Sequence, residues 1–232
     1  MPFFFYDYYY LVLVIPAMLL ALWAQFKVKS TFHRYSQVRS YRGVTAAQVA
    51  RSILDENGLH NVSVQHVPGK LSDHYDPTSR VVRLSDDVYN STSIAAIGVA
   101  AHEVGHACQH AVGYAPMKLR TAIIPVTNIG SQLAVPLILI GFLFNNDTMA
   151  MLGVIFFSTA AIFQLVTLPV EFNASNRAVK TLDNRGFLVQ EELSGVKKVL
   201  TAAALTYVAA LIVSVAQLLR LMLIVGSRRR ND

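Results

Sequence analysis

Residues 121–168 read TAIIPVTNIGSQLAVPLILIGFLFNNDTMAMLGVIFFSTAAIFQLVTL. Two apolar blocks, about 121–144 and 149–168, flank the polar run Asn145-Asn146-Asp147-Thr148. Each block is close to the roughly 20 residues that cross a hydrocarbon core. The link is short, so the pair predicts an antiparallel transmembrane hairpin. Pro125 and Pro136 each remove a backbone donor from the first block and favour kinks. Asn128, Ser131 and Gln132 make its early half polar, which suits contact with protein or trapped water rather than lipid. Pro169 predicts a break or sharp redirection after the second block.

Two more blocks lie outside the hairpin, at about 9–26 and 200–225. The first follows a leader that holds Asp7 and no basic side chain, so a retained anchor is expected rather than a cleaved signal peptide. Tyr6, Tyr8, Tyr9 and Tyr10 suit a membrane interface. In the last block Gln217 and Arg220 require a headgroup or a protein partner. Across the chain 53% of residues are hydrophobic and 15% are charged, less charge than a soluble domain of this size carries. The expected class is a mainly α integral membrane protein with about four transmembrane helices and a small α/β region. The lipid bilayer is its first expected partner.

The net charge is +6, and the basic residues flank the apolar blocks. Anionic lipid is therefore a simpler partner than nucleic acid, for which no zinc-finger spacing, phosphate loop or aromatic–basic repeat is present. No nucleic-acid partner is expected. Cys108 is the single cysteine, which excludes an internal disulfide, and it reads as a small buried hydrophobe. Lys27, Lys29, Arg34, Arg39 and Arg42 follow the first block, and Arg177, Lys180 and Arg185 follow the third. The positive-inside rule places both polar segments in the cytoplasm of a multi-pass cell-membrane protein. Four crossings then leave Arg228, Arg229 and Arg230 outside, against the same rule. Either that local signal loses or the fourth block makes no simple crossing.

Within the first polar segment, Thr45 is an N-cap for a helix with an apolar stripe at Val49, Ile53 and Leu54. Asn57-Gly58 ends it. Residues 62–67 and 80–84 read as strands, separated by turns at Pro68-Gly69 and Asp76-Pro77. A helix then spans about 93–110, rich in small residues and carrying His102-Glu103-Val104-Gly105-His106. On a helix, His102 and His106 share a face at i and i+4, which suits two imidazole ligands to one zinc ion. Glu103 beside them is the candidate general base. The region is thus zincin-like.

Three protein ligands are the usual count for a catalytic zinc. Glu171 is the best third: it is the only acidic residue between Asp147 and Asp183, and it follows the hairpin's return. An ion pair to Arg177 or Arg120 is its alternative role. His110 is the runner-up ligand, but three successive i,i+4 histidines diverge around a straight helix, so a place in the cleft suits it better. His33, His60, His66 and His74 have no comparable spacing and read as surface or packing residues. Tyr114, His110 and Arg177 are candidates to stabilise a developing oxyanion. The strand near 81–84 is a candidate to pair with an extended peptide substrate.

The expected divisions are an anchor at 1–26, the α/β region with its HExxH helix at 27–120, the hairpin at 121–168, a connecting segment with the third ligand at 169–199, and the last helix with its basic tail at 200–232. The expected function is a zinc-dependent endopeptidase acting on membrane-associated or unfolded proteins. The alternative is a noncatalytic zinc-binding membrane module or scaffold. The oligomeric state is left open.

Three runs also carry a resemblance: Leu71-Ser72-Asp73-His74-Tyr75-Asp76-Pro77, the AHEVGHACQHAVGY run at 101–114, and Pro169-Val170-Glu171-Phe172-Asn173-Ala174-Ser175. Together, in this order, they resemble the YugP-type family of membrane zinc metallopeptidases over nearly the whole chain. A looser likeness is to HtpX-type and CaaX-processing membrane proteases, in which HExxH precedes a membrane hairpin and a downstream glutamate completes the ligand set. Their pattern reads roughly Glu-Phe-x-Ala-Asp, whereas this chain has Ser175 at the last position. The likeness implies protease chemistry and a cytoplasm-facing site. It also implies that Ser175 can hydrogen-bond a histidine without giving it a negative charge.

Overall fold

The computed structural model describes residues 7–229. Tyr6 and Arg230 lie outside the described residues. A wide π-helical turn, Tyr10–Val14, leads into α1 (Ile15–Ser36), followed by α2 (Ala46–Glu56). Three short strands come next: β1 (Ser63–His66), β2 (His74–Asp76) and β3 (Val81–Leu84). The chain continues through α3 (Ile94–Ala111), α4 (Ala115–Leu143), α5 (Asp147–Asn184) and α6 (Gln190–Arg229). The helices that begin at Tyr10, Ala115, Asp147 and Gln190 are each long and apolar enough to cross a membrane. Large side chains such as Leu22, Ile129, Val135 and Leu165 stay exposed on them, the surface expected of helices solvated by lipid. The protein is a mainly α membrane protein with a small α/β region.

Two of these helices run further than their composition predicts. Pro169 does not end the helix: it sits inside α5, which continues to Asn184. A proline removes one helical hydrogen bond, and the bonds of the adjacent turns hold the helix through it. Likewise residues 190–199 of the connecting segment and the fourth apolar block are one helix, α6.

The chain forms two compact units. One comprises residues 7–25, 119–168 and 206–229 of the described chain. In it, Gly130 lies against Thr159, Gly153 against Ile138, and Gly141 against Ala150. As residue numbers rise on α4 they fall on α5, so the hairpin is antiparallel, and its glycines permit the close approach. Ile138, Ala150 and Val154 cluster with Leu221 and Val225 of α6. Arg220 donates to Asp7 at 2.8 and 2.6 Å, and its guanidinium stacks 5.0 Å from the Tyr10 ring. This is the partner that a buried arginine in an apolar block requires. The start of the first helix, the α4–α5 turn and the end of α6 therefore share one end of this unit. The fourth block lies within one continuous helix that is long and apolar enough to cross a membrane.

The other unit comprises residues 26–118 and 169–205. Thr45 Oγ1 accepts from Gln48 N while Gln48 Oε1 accepts from Thr45 N, a reciprocal cap that starts α2. Gly58, at φ +70°, ends the segment in the left-handed conformation glycine tolerates. The strand order is β1-β3-β2, with β1 parallel and β2 antiparallel to β3. The expectation that residues 81–84 pair with substrate is thereby corrected. Both edges of β3 are filled, and β2 was missed as a strand because its three residues lie between two turn signals. Val82 and Leu84 join Leu54, Ile97, Val104, Leu182 and Val196 in a core that encloses α3.

Candidate metal centre

Ser93 caps α3 by accepting from Ala96 N at 3.2 Å, which fixes where the helix starts and so which face carries the histidines. His102 and His106 stand one turn apart with ring centroids 4.7 Å apart. Gly105 decides what faces them: a Cβ there would lie 2.8 Å from the Ala174 carbonyl oxygen. Only glycine lets α5 come this close to α3. That approach brings Glu171 to the histidines, with its Oε2 at 3.3 Å from His102 Nε2 and 3.6 Å from His106 Nε2. Glu171 is 3% exposed.

Whether this set fits a metal is decided by where the protons are. Arg177 can only donate, and its Nε donates to Asn173 Oδ1 at 2.8 Å. That oxygen also accepts from Gln109 Nε2 at 3.0 Å, and the same Gln109 nitrogen donates to Val170 O at 2.8 Å. The Gln109 amide is thereby oriented, leaving Oε1 to accept from His106 Nδ1 at 3.0 Å. His106 thus carries its hydrogen on Nδ1 and can offer the Nε2 lone pair to a cation. His102 Nδ1 lies 3.1 Å from Ser175 Oγ, which gives the second ring an equivalent anchor without a negative charge.

The donor atoms of His102, His106 and Glu171 all lie within 4.8 Å of one another. Ligand atoms around a tetrahedral zinc lie about 3.3–3.5 Å apart, close to both histidine–carboxylate separations. One carboxylate oxygen placed 3.3 and 3.6 Å from two ring nitrogens is a poor hydrogen-bond arrangement. The residues present fit a zinc ion held by two nitrogens and one oxygen. Burial lowers the pKa of His106, but the adjacent Glu171 carboxylate and the charge of Glu103 outweigh it, and the net shift is upward.

Glu103 lies next to His102 on α3, and its Oε2 accepts from the backbone N of Tyr75 at 3.1 Å. Tyr75 Oη lies 2.8 Å from His110 Nδ1. The β2 edge that carries Tyr75 is held by Asp73, whose carboxylate accepts from Ser85 N at 2.7 Å and Ser85 Oγ at 2.9 Å. Burial pushes the Asp73 pKa up, and the charge of Glu103 adds to the rise. Asp76 ties off the following turn by accepting from Thr78 N, Ser79 N and Arg83. The Leu71–Pro77 run therefore fixes one backbone N–H over Glu103.

Of the other sequence candidates, His110 is exposed, lies outside the donor cluster and is joined to Tyr75. Arg177 sends its Nε into the Asn173 chain. Tyr114 lies in the α3–α4 turn, where its carbonyl accepts from Met117 N and Lys118 N. Cys108 is buried, and burial raises its thiol pKa.

Residues 10–226 match the family described as "Putative neutral zinc metallopeptidase". The chain belongs to that family. It is also 54% identical over 215 residues to the "Putative membrane protease YugP" of Bacillus subtilis (strain 168), covering 93% of this chain and 96% of that protein. No solved structure matches it. Membership of this metallopeptidase family agrees with the resemblance carried by the three sequence runs, and the donor set sits within two of them. The sequence reading missed Gly105, Gln109, Asn173 and Tyr75 as parts of the site. Gln109 alone left a signal, at i+3 from His106 on the same helix face.

Proposed function

We propose that the chain is a zinc-dependent endopeptidase that hydrolyses peptide bonds in membrane-associated or unfolded proteins. One observation carries the reading: the Arg177–Asn173–Gln109 chain directs His106 Nε2 toward the oxygen of Glu171 that His102 also faces. A zinc ion held by His102, His106 and Glu171 supplies a Lewis acid for a peptide carbonyl and lowers the pKa of water. Glu103 takes the proton from the attacking water on a carboxylate oxygen and later delivers it to the leaving amine nitrogen. The Tyr75 N–H holds Glu103 Oε2 and orients the other oxygen for this transfer. Of the candidates for the developing oxyanion, His110 is favoured because Tyr75 links it to Glu103. Tyr114 and Arg177 rank behind it. The cytoplasmic side is assigned to the site because Lys27, Lys29 and Arg34, and Arg177, Lys180 and Arg185, follow apolar blocks at the corresponding ends.

The test uses the full chain in an uncharged detergent and a fluorogenic unfolded protein as substrate. Glu103→Gln is expected to retain zinc and lose roughly 10²–10⁴-fold in turnover. Equal cleavage by the two proteins would reject Glu103 as the base. Zinc bound by both with no hydrolysis by either would favour a noncatalytic module.

A further inference from the structure

A groove of about 750 Å³ lies between the last turns of α1 and the first turns of α6. Four cations line it: Lys27 and Arg34 from α1, and Lys197 and Lys198 from α6. All four are exposed, no carboxylate lines the groove, and among the described residues none of the four takes part in an ion pair. Arg34 stacks on the neighbouring Tyr35 ring at 5.8 Å, a contact that leaves its charge uncompensated. Like charges gathered around one concavity repel one another, and an anion bound there relieves the repulsion.

The remaining lining narrows the kind of anion. Thr31, Ser194 and Thr201 bring hydroxyls at helical spacing with the cations, so each wall alternates charge with a hydrogen-bonding group. That composition suits phosphate oxygens. Ala202 and Leu205 add an apolar end. Along α1, Lys27 follows directly on the apolar run that closes with Phe26. Along α6, Lys197 and Lys198 precede the block that begins near residue 200. The two helices touch at Gly195, where a Cβ would lie 2.9 Å from the Tyr35 ring. From Lys27 to Tyr35, α1 rises about 12 Å, enough to pass through the polar layer of a leaflet, about 5–7 Å deep. The charged walls thus begin where the apolar runs stop.

We propose that this groove binds the phosphate-bearing headgroup of an anionic phospholipid. Lys27, Arg34, Lys197 and Lys198 supply the positive charge, the hydroxyls hydrogen-bond the phosphate oxygens, and Ala202 with Leu205 meets the start of the acyl chains. A free phosphate shares the polar chemistry but has nothing to place at the apolar end.

The full chain in an uncharged detergent is titrated with short-chain phosphatidylglycerol, with phosphatidylcholine of the same chains, and with inorganic phosphate, and binding is read as a saturable rise in Tm. Phosphatidylglycerol is expected to stabilise the wild type. Phosphatidylcholine and phosphate should each bind at least about tenfold more weakly. Lys197→Gln with Lys198→Gln weakens phosphatidylglycerol binding by roughly twentyfold, while Lys70→Gln with Lys180→Gln, outside the groove, changes it by less than about threefold. Lys27→Gln with Arg34→Gln repeats the test on the other wall, and zinc content reports folding of each variant. Equal response to the two lipids, or equal loss in the groove and control variants, would overturn the site. Phosphate binding as tightly as phosphatidylglycerol would overturn the lipid assignment.

Discussion

Replacing Gln109 by leucine strands the Nδ1–H of His106 on the side of the ring that faces Gln109, which is 0% exposed. The change removes three hydrogen bonds, to His106 Nδ1, Val170 O and Asn173 Oδ1. Val170 lies inside α5, where its carbonyl also has a helical partner, and Asn173 Oδ1 keeps Arg177 Nε. The His106 donor is the group left uncompensated, at a cost of about 1–3 kcal/mol. Losing a partner behind a ligand lowers metal affinity by roughly 10–100-fold, about 1.4–2.8 kcal/mol. The two magnitudes agree, and both fall below the ~5–15 kcal/mol that holds a typical domain together. The variant should therefore fold and fail at zinc. Competition with a chromophoric chelator measures the loss on the full chain in detergent. Asn173→Asp provides the comparison: its carboxylate still accepts from Arg177 and Gln109, so zinc affinity should stay within about threefold. Wild-type zinc affinity in Gln109→Leu would refute the orientation chain.

Three further outcomes are expected. Gly105→Ala sets a methyl 2.8 Å from the Ala174 carbonyl oxygen, so α3 and α5 must part; a loss of ~1–3 kcal/mol should appear as a lower Tm together with weaker zinc binding, and unchanged zinc affinity would count against Gly105 as the reason Glu171 reaches the histidines. Ser175→Asp gives His102 the negative partner it lacks and should tighten zinc binding by up to about tenfold; a weaker site would show that the desolvation of the new carboxylate dominates. The raised pKa of His106 means its proton competes with zinc from above the ordinary imidazole range. Zinc needs the neutral ring, so affinity falls as pH drops, and the fall begins above about pH 6.5. Chelator competition between about pH 8 and 6 measures it, and a flat profile would contradict the assignment of His106.

What the sequence reveals depends on the range of the interaction. HEVGH is legible because the i,i+4 relation is local, and Glu171 is legible because no other acid lies between Asp147 and Asp183. The spans are legible from the length of their apolar runs. Helix continuity is not, because α5 passes from apolar to polar composition and α6 from polar to apolar while their backbone bonding continues. Gln109 and Asn173 act only because α3 and α5 nearly touch at Gly105, a contact between residues far apart in the chain. The role of Tyr75 is carried by its backbone N–H, which no side-chain pattern discloses.

The claim that His102, His106 and Glu171 form a zinc centre is tested most directly by zinc X-ray absorption on the purified full chain, set beside Glu171→Gln. The wild type should hold one zinc per chain, with imidazole nitrogens at about 2.0–2.1 Å, oxygen at about 2.0–2.2 Å and no sulfur. Glu171→Gln should bind far less zinc. A sulfur ligand at about 2.3 Å, or zinc retained unchanged without the Glu171 carboxylate, would contradict the account.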